Sequence, residues 1–399
     1  VRLITYLFLT VASVLLLLHY LPQLYWLLNP FRHRAPVVFY SAVSEQFLFL
    51  RLEDGAMQRR DAHHQPLERE EFEALLPLNF SAQLSREGRM PENILGREIT
   101  AHALREGRFN LRINPLIFDA PSVPLYPLLE ADSGRVRLEA PREFVRMGAD
   151  VTILDPATNS VLEEKTATFR MAFQAAGFQF PVLLVGTNPT TLKPYDEGFF
   201  LLDARQSLFH FQQRRGEPFV EQISDPSDLL HQESFVPLGI FVQEQETREF
   251  RCLLVGRDGR LLLVLGPDYK INAVDLESYN PRRDQLAIRG DMLHRIITVT
   301  GEDFLEALVV DRQLDPVARY EENFLSRNQQ PAAQWAQLLF PFTLDWQSPF
   351  STYLNFYFHP GGWAAALLWT LLAGSLIFAV RILIIGSLRS TRSLSYRKT

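Results

Sequence analysis

The thirteen residues Gly186-Thr187-Asn188-Pro189-Thr190-Thr191-Leu192-Lys193-Pro194-Tyr195-Asp196-Glu197-Gly198 gather an ammonium, a phenol, two carboxylates, an amide and several hydroxyls. They lie directly after the apolar run Val182–Val185 and before Phe199–Leu202. Two prolines and two glycines between apolar strands make a stiff surface loop, a usual place for binding residues. Asn188, Thr190, Lys193, Tyr195, Asp196 and Glu197 are therefore candidate recognition residues. In a competing reading Lys193 and Asp196 pair with each other and hold the turn. Elsewhere catalytic chemistry is hard to find. The chain has no G-x-S-x-G elbow, H-E-x-x-H pair, phosphate-binding loop or dinucleotide glycine fingerprint. Its nine histidines are scattered, and the adjacent pair His63-His64 is poorly placed to share a metal. No catalytic, cofactor-binding or metal-binding residues are assigned, no cofactor is expected, and the chain reads as a non-enzyme.

Charge is unevenly distributed. All 46 acidic residues lie between Arg32 and Asp345, whereas Arg2, Arg381, Arg389, Arg392, Arg397 and Lys398 lie outside that stretch. An acidic middle repels phosphate backbones, which argues against a nucleic-acid partner. The one cysteine, Cys252, sits in an apolar run and reads as a buried core thiol; no intrachain disulfide is possible.

Two apolar runs bracket the acidic middle, each long enough to cross a bilayer as a helix. The expected organisation is an N-terminal transmembrane anchor at 1–31, an extracytoplasmic domain at 32–345, an interfacial aromatic segment at 346–361, a C-terminal transmembrane helix at 362–386 and a basic cytoplasmic tail at 387–399. Pro22 is expected to end or kink the first helix. Small residues in the second span, Gly362, Ala366, Ala373 and Gly374, make a candidate helix-packing face. The basic tail, by the positive-inside rule, places both termini in the cytoplasm of a bacterial inner membrane. The bilayer is thus an expected partner, and Ala332–Phe340 is a candidate amphipathic helix lying on it.

Within the domain, 66–180 reads as mixed α/β, with helices at 68–76 and 161–176 and strands at 136–138 and 151–154. The β-rich part is 36–62 plus 181–322. Strand–turn–strand patterns begin near Phe199, Arg251 and Arg295, and Asp258-Gly259 is a strong hairpin signal. Their spacing approaches that of propeller blades. The expected fold is a membrane-anchored α+β protein whose β-rich extracytoplasmic domain, a partial propeller or bent antiparallel sheet, lies between two transmembrane helices. An irregular β-sandwich is the competing architecture.

Several stretches, among them Tyr20-Leu21-Pro22, Gly88-Arg89-Met90-Pro91, Pro124-Leu125-Tyr126-Pro127-Leu128, Asn188–Gly198 and Leu339-Phe340-Pro341-Phe342, carry a resemblance. The chain resembles a family of uncharacterised two-pass bacterial membrane proteins, a domain of unknown function encoded beside ABC-transporter genes. That resemblance implies an accessory subunit working with an ABC permease and ATPase, and no known activity. Two alternatives remain open: a membrane-tethered ligand sensor or scaffold, and an envelope hydrolase with a carboxylate site assembled only in three dimensions.

Overall fold

The computed structural model describes residues 2–29, 35–53, 55–120, 123–135, 137–223, 235–326, 329–345, 355–358 and 369. The expected C-terminal span at 362–386, apart from Trp369, lies outside these, so that span, its face at Gly362, Ala366, Ala373 and Gly374, and the basic tail are not described. The chain divides into two units, residues 35–324 and the flanking residues 1–34 with 325–399. In the flanking unit α1 (Arg2–Leu28) runs unbroken past Pro22, which corrects the expected helix end. Proline removes one donor from the ladder, and the long apolar helix on either side tolerates that loss. The stretch Val11–Leu28 is long and apolar enough to cross a membrane, and little of it is buried.

The central unit is a stack of antiparallel sheets. Sheet I is β1 (Val37–Ser41), β2 (Gln46–Glu53) and β3 (Ala56–Arg60). Then come α2 (Arg69–Leu75), α3 (Ser81–Arg86), the small hairpin β4 (Asn93–Ile94) and β5 (Arg97–Glu98), α4 (Ala101–Glu106) and β6 (Phe109–Ile113). Helix α2 carries Glu70 and Glu71 in its first turn, where the helix dipole favours anions, and Pro77 follows its end. Thr100 caps α4 by accepting from the Ala103 amide at 3.1 Å.

Sheet II is β7 (Leu125–Leu128), β8 (Glu143–Met147), β9 (Val151–Asp155) and β10 (Ser160–Val161). The strand expected around 136–138 is not formed at 137–138; the pairing strand is β8, which buries Val145 and Met147 on one face. Helix α5 (Glu163–Ala175) covers this sheet with Phe169 and Phe173, and ends at Gly177 as its sequence implies. Sheet III is β11 (Leu184–Thr187), β12 (Phe199–Leu202), β13 (Leu208–Arg214) and β14 (Glu217–Gln222). Sheet IV is β15 (Pro237–Val242), β16 (Phe250–Gly256), β17 (Leu261–Leu265) and β18 (Lys270–Val274). Sheet V is β19 (Gln285–Gly290), β20 (Arg295–Thr300), β21 (Phe304–Val310) and β22 (Pro316–Asn323), with β6 added beside β19.

Successive residues of a strand point to opposite faces, so a strand between two sheets must be apolar on both. Phe199 and Leu201 of β12 enter the core shared by II and III, and Phe200 and Leu202 enter the core shared by III and IV. Leu253 and Val255 of β16 face V while Cys252 and Leu254 face III. Cys252 is fully buried, and burial raises its thiol well above the usual range. Ile297 and Val299 of β20 face IV, and Ile296 meets Val38 and Phe49 of sheet I. The shared cores run II–III–IV–V–I. Among the described residues no buried apolar cluster joins I to II. The order is that of propeller-like blades, each a meander, with β6 stitching an early segment into the last sheet.

Beyond sheet V, the flanking unit resumes with α6 (Pro331–Leu339), at the segment expected to be amphipathic, and the hairpin β23 (Phe342–Asp345) and β24 (Asn355–Phe358). The Tyr25 hydroxyl of α1 donates to the Ala332 carbonyl at 2.8 Å, and its ring meets Phe340 edge-on. His19, buried in an otherwise apolar helix, has Nδ1 2.7 Å from the Leu344 carbonyl.

The first strands β11 and β15 of neighbouring sheets pack very closely. A Cβ on Gly186 would stand 2.4 Å from Ile240 Cγ2 and 2.9 Å from the Ile240 carbonyl oxygen. Gly186→Ala is expected to destabilise the chain by about 1–3 kcal/mol through overpacking, and Ile240→Ala in the same chain should recover part of it. Thermal unfolding followed by circular dichroism measures both; an unchanged melting temperature for Gly186→Ala contradicts this packing.

Candidate functional site

The loop from Asn188 to Gly198 joins β11 to β12 at the seam between sheets III and IV. Its polar side chains turn inward. Lys193 is almost fully buried, and its Nζ donates to Asp196 Oδ1 at 2.6 Å, to Glu244 Oε1 at 2.5 Å and to the Asn188 carbonyl at 2.7 Å. Three acceptors satisfy all three ammonium hydrogens. Glu244 also accepts from the Glu197 amide at 2.9 Å and from Asn188 Nδ2 at 2.7 Å. Thr190 Oγ1 accepts from the Leu192 amide at 3.1 Å, and Leu192 stands exposed at the tip. Gly198 has φ +75, and a Cβ there would meet the Phe211 carbonyl at 2.4 Å, so only glycine fits where the loop enters β12.

A second layer lies against the first. Glu197 is ion-paired with Arg251 of β16, whose guanidinium lies over the Tyr269 ring at 4.7 Å. His210 of β13 stacks on Phe200 at 4.8 Å between ring centroids, almost parallel. Its Nε2 is 2.6 Å from the Glu197 carbonyl and its Nδ1 is 2.7 Å from the Tyr269 hydroxyl. A carbonyl only accepts, so Nε2 carries the hydrogen and the Tyr269 hydroxyl donates to Nδ1. Burial drives the His210 pKa down to about 3, so the ring is neutral at pH 7. Arg248 lies over the Tyr195 ring at 4.1 Å, and burial pushes the Tyr195 hydroxyl up to about 12. Burial likewise raises the Glu244 carboxyl to about 7 against the opposing pull of Lys193.

The structure thus brings Asn188, Lys193, Tyr195, Asp196 and Glu197 together and leaves Thr190 on the loop's own backbone. Glu244, Arg251, His210, Tyr269 and Gln212, which donates to the Asp196 carbonyl at 3.0 Å, complete the cluster and were not singled out by the sequence. A signal for them exists. His210, Gln212 and Arg251 interrupt apolar strands that are buried on both faces, and a polar residue there demands an internal partner. Chemically the cluster is a buried cross-link between the two sheets. Lys193 is held by carboxylates and has no vacant direction from which to act as a nucleophile. Among the described residues no group of three or more His, Cys, Asp and Glu is arranged to hold a metal ion.

Residues 37–310, which hold this cluster and the sheets around it, match the model of the domain of unknown function DUF4857. The chain belongs to this family. No curated protein matches it. Among solved structures, the DUF4857 chain is similar to the β-propeller domain of Myceliophteria thermophila Cps50 (Swd1), with 11% identity, a TM-score of 0.27, and coverage of 73% of this chain and 72% of that one. It is also similar to the dihydro-heme d1 dehydrogenase NirN in complex with DHE, with 12% identity, a TM-score of 0.23, and coverage of 64% and 65%. At these values neither likeness bears on what the DUF4857 chain binds or does.

Two predictions follow from the cluster's charges. Lys193→Met leaves Asp196 and Glu244 buried without their cation and is expected to cost on the order of 3–5 kcal/mol; adding Glu244→Gln and Asp196→Asn should restore part of it, read by thermal unfolding. The second concerns pH. Glu244 protonates at higher pH in the folded chain than in the unfolded one, so acidification from pH 7 towards 4.5 stabilises the fold through this group. His210 has the opposite sign: its stabilisation is complete above 6.5 and is lost as pH falls towards 3. Glu244→Gln removes the first effect alone. Relative to the parent, the variant should lose stability on acidification from pH 7 to 4.5, by up to about 1.4 kcal/mol per pH unit; parallel stability–pH curves contradict this.

Proposed function

We propose that this chain is a non-enzymatic accessory membrane subunit of an ABC-type transporter, its sheet stack forming a binding platform outside the cytoplasm. The observation that carries the reading is α1, whose apolar surface is left open: Phe8, Leu17, Leu24 and Leu27 are each half exposed or more. Such a surface on a helix of this length calls for lipid or another apolar helix. The flanking unit adds Trp335 of α6 and Phe356 of β24, both largely exposed, as interfacial aromatics suit. In this reading α1 and the second apolar run anchor the chain in the bacterial inner membrane with both termini inside. The small-residue face at Gly362, Ala366, Ala373 and Gly374 is the contact offered to the permease, and the ATPase is a separate subunit.

The paired state of the buried carboxylates supports a binding role over a hydrolytic one. Asp196 and Glu244 share Lys193, and Glu197 holds Arg251, so none of the three is free to move a proton to a substrate. A sensor or scaffold reading draws on a separate observation, a cleft beside the β15–β16 loop. Purification of the full chain in mild detergent is expected to recover an ABC permease and its ATPase in fixed proportion. A chain that purifies alone under conditions preserving other transporter complexes rules the accessory reading out.

A further inference from the structure

A cleft of about 200 Å3 opens beside the loop that joins β15 to β16. Gln245, Thr247 and Glu249 of that loop line it, with Arg295 at the start of β20, Arg312 from the β21–β22 turn, and Arg97 of β5. Three of these side chains hold a buried polar atom without a partner: Gln245 Nε2, Thr247 Oγ1 and Arg295 Nε. Gln245 is 5% exposed and Arg295 is 3% exposed. Buried polar atoms in folded chains are nearly always paired, and these three belong to side chains that line one cleft.

The identity of these atoms narrows the ligand. Two are N–H donors and the third is a hydroxyl able to donate, so an occupant that pairs with all three presents acceptor oxygens to them. Arg295 uses its Nη atoms on Glu249 Oε2 at 2.9 Å and the Asp311 carbonyl at 3.4 Å, leaving Nε for something else. Glu249 is also paired with Arg312, so its charge is balanced within the wall. The Asp291 carboxylate, also lining the cleft, accepts from the backbone amides of Leu293 and His294 at 2.8 and 2.7 Å. Arg97 and its neighbour Glu98, both exposed, also line the cleft.

We propose that this cleft binds a small oxyanion, a carboxylate or phosphate group, with Gln245 Nε2, Thr247 Oγ1 and Arg295 Nε as its donors. The volume suits a compact metabolite or headgroup and is below that of drug-sized sites. The site is independent of the transporter reading, since neither the membrane nor a partner subunit enters it.

The test is thermal unfolding of the full chain at pH 7, titrated with sodium phosphate, sodium acetate or sodium chloride at matched ionic strength. A ligand that binds only the folded state raises the melting temperature in a saturable way. Phosphate or acetate should do so and chloride should not; the stronger of the two assigns the group. Gln245→Leu, close in shape and apolar, should leave the unliganded melting temperature equal or higher and abolish the anion-dependent rise. Arg97→Gln, on an exposed rim, should leave folding unchanged and weaken anion binding roughly two- to fivefold. The proposal is overturned by the lack of a saturable rise above chloride. It is equally overturned by a rise of parent size in Gln245→Leu. Should Gln245→Leu fail to fold, Arg97→Gln decides, and unaltered anion affinity in that variant overturns the proposal.

Discussion

Burial of single strands on both faces is the constraint from which the rest of this structure follows. Each of sheets III, IV and V has a neighbour on either side, so alternate residues of β12, β16 and β20 enter different cores. Fully burying each large apolar side chain contributes about 1.5–3 kcal/mol, and the seams between sheets hold most of these side chains. Any polar residue on such a strand is then trapped between two apolar layers. Its hydrogen bonds must be made inside the seam or not at all.

The seam between III and IV shows how that is resolved. His210 on β13 donates to the Glu197 carbonyl and Arg251 on β16 pairs with the Glu197 carboxylate, so Glu197 at the end of the β11–β12 loop ties the two strands together. Lys193 and Glu244 then close the layer above. The β15–β16 loop has two functions as a result. Glu244 locks the seam on one side, while Gln245, Thr247 and Glu249 form the cleft on the other. The buried cluster and the polar cleft thus share one loop, which carries Glu244 beside Gln245, Thr247 and Glu249.

The outer hairpins were legible because their signal is local. Runs such as Leu261–Val264 are apolar throughout, and Asp258-Gly259 supplies the turn between β16 and β17. The first strands of sheets IV and V, β15 and β19, were not. Gly186, Gly239 and Gly290 lower the strand propensity of β11, β15 and β19, yet each marks a close approach, to Ile240, Phe118 and Phe109 respectively. Nor does local sequence reveal that β6 pairs with β19, or that Glu244 completes the Lys193 cluster, because both pairings depend on chain closure over long separations. Of the candidate loop, the residue types were visible and their inward direction was not. Thr190 remains a loop residue bonded to its own backbone, whereas Lys193, Asp196 and Glu197 are core.

Lys193 and Glu244 join the Asn188–Gly198 loop to the β15–β16 loop, and the two loops are expected to open as one cooperative unit. Native-state hydrogen exchange of the full chain tests it most directly. The amide of Glu197, bonded to Glu244, that of Gln243, bonded to the Arg251 carbonyl of β16, and that of Arg248, bonded to the Gln245 carbonyl within the loop, should open together with one common free energy close to that of the surrounding strands. Fast exchange at Glu197, uncoupled from Gln243 and Arg248, would show that the two loops move separately and that the cluster does not hold the seam.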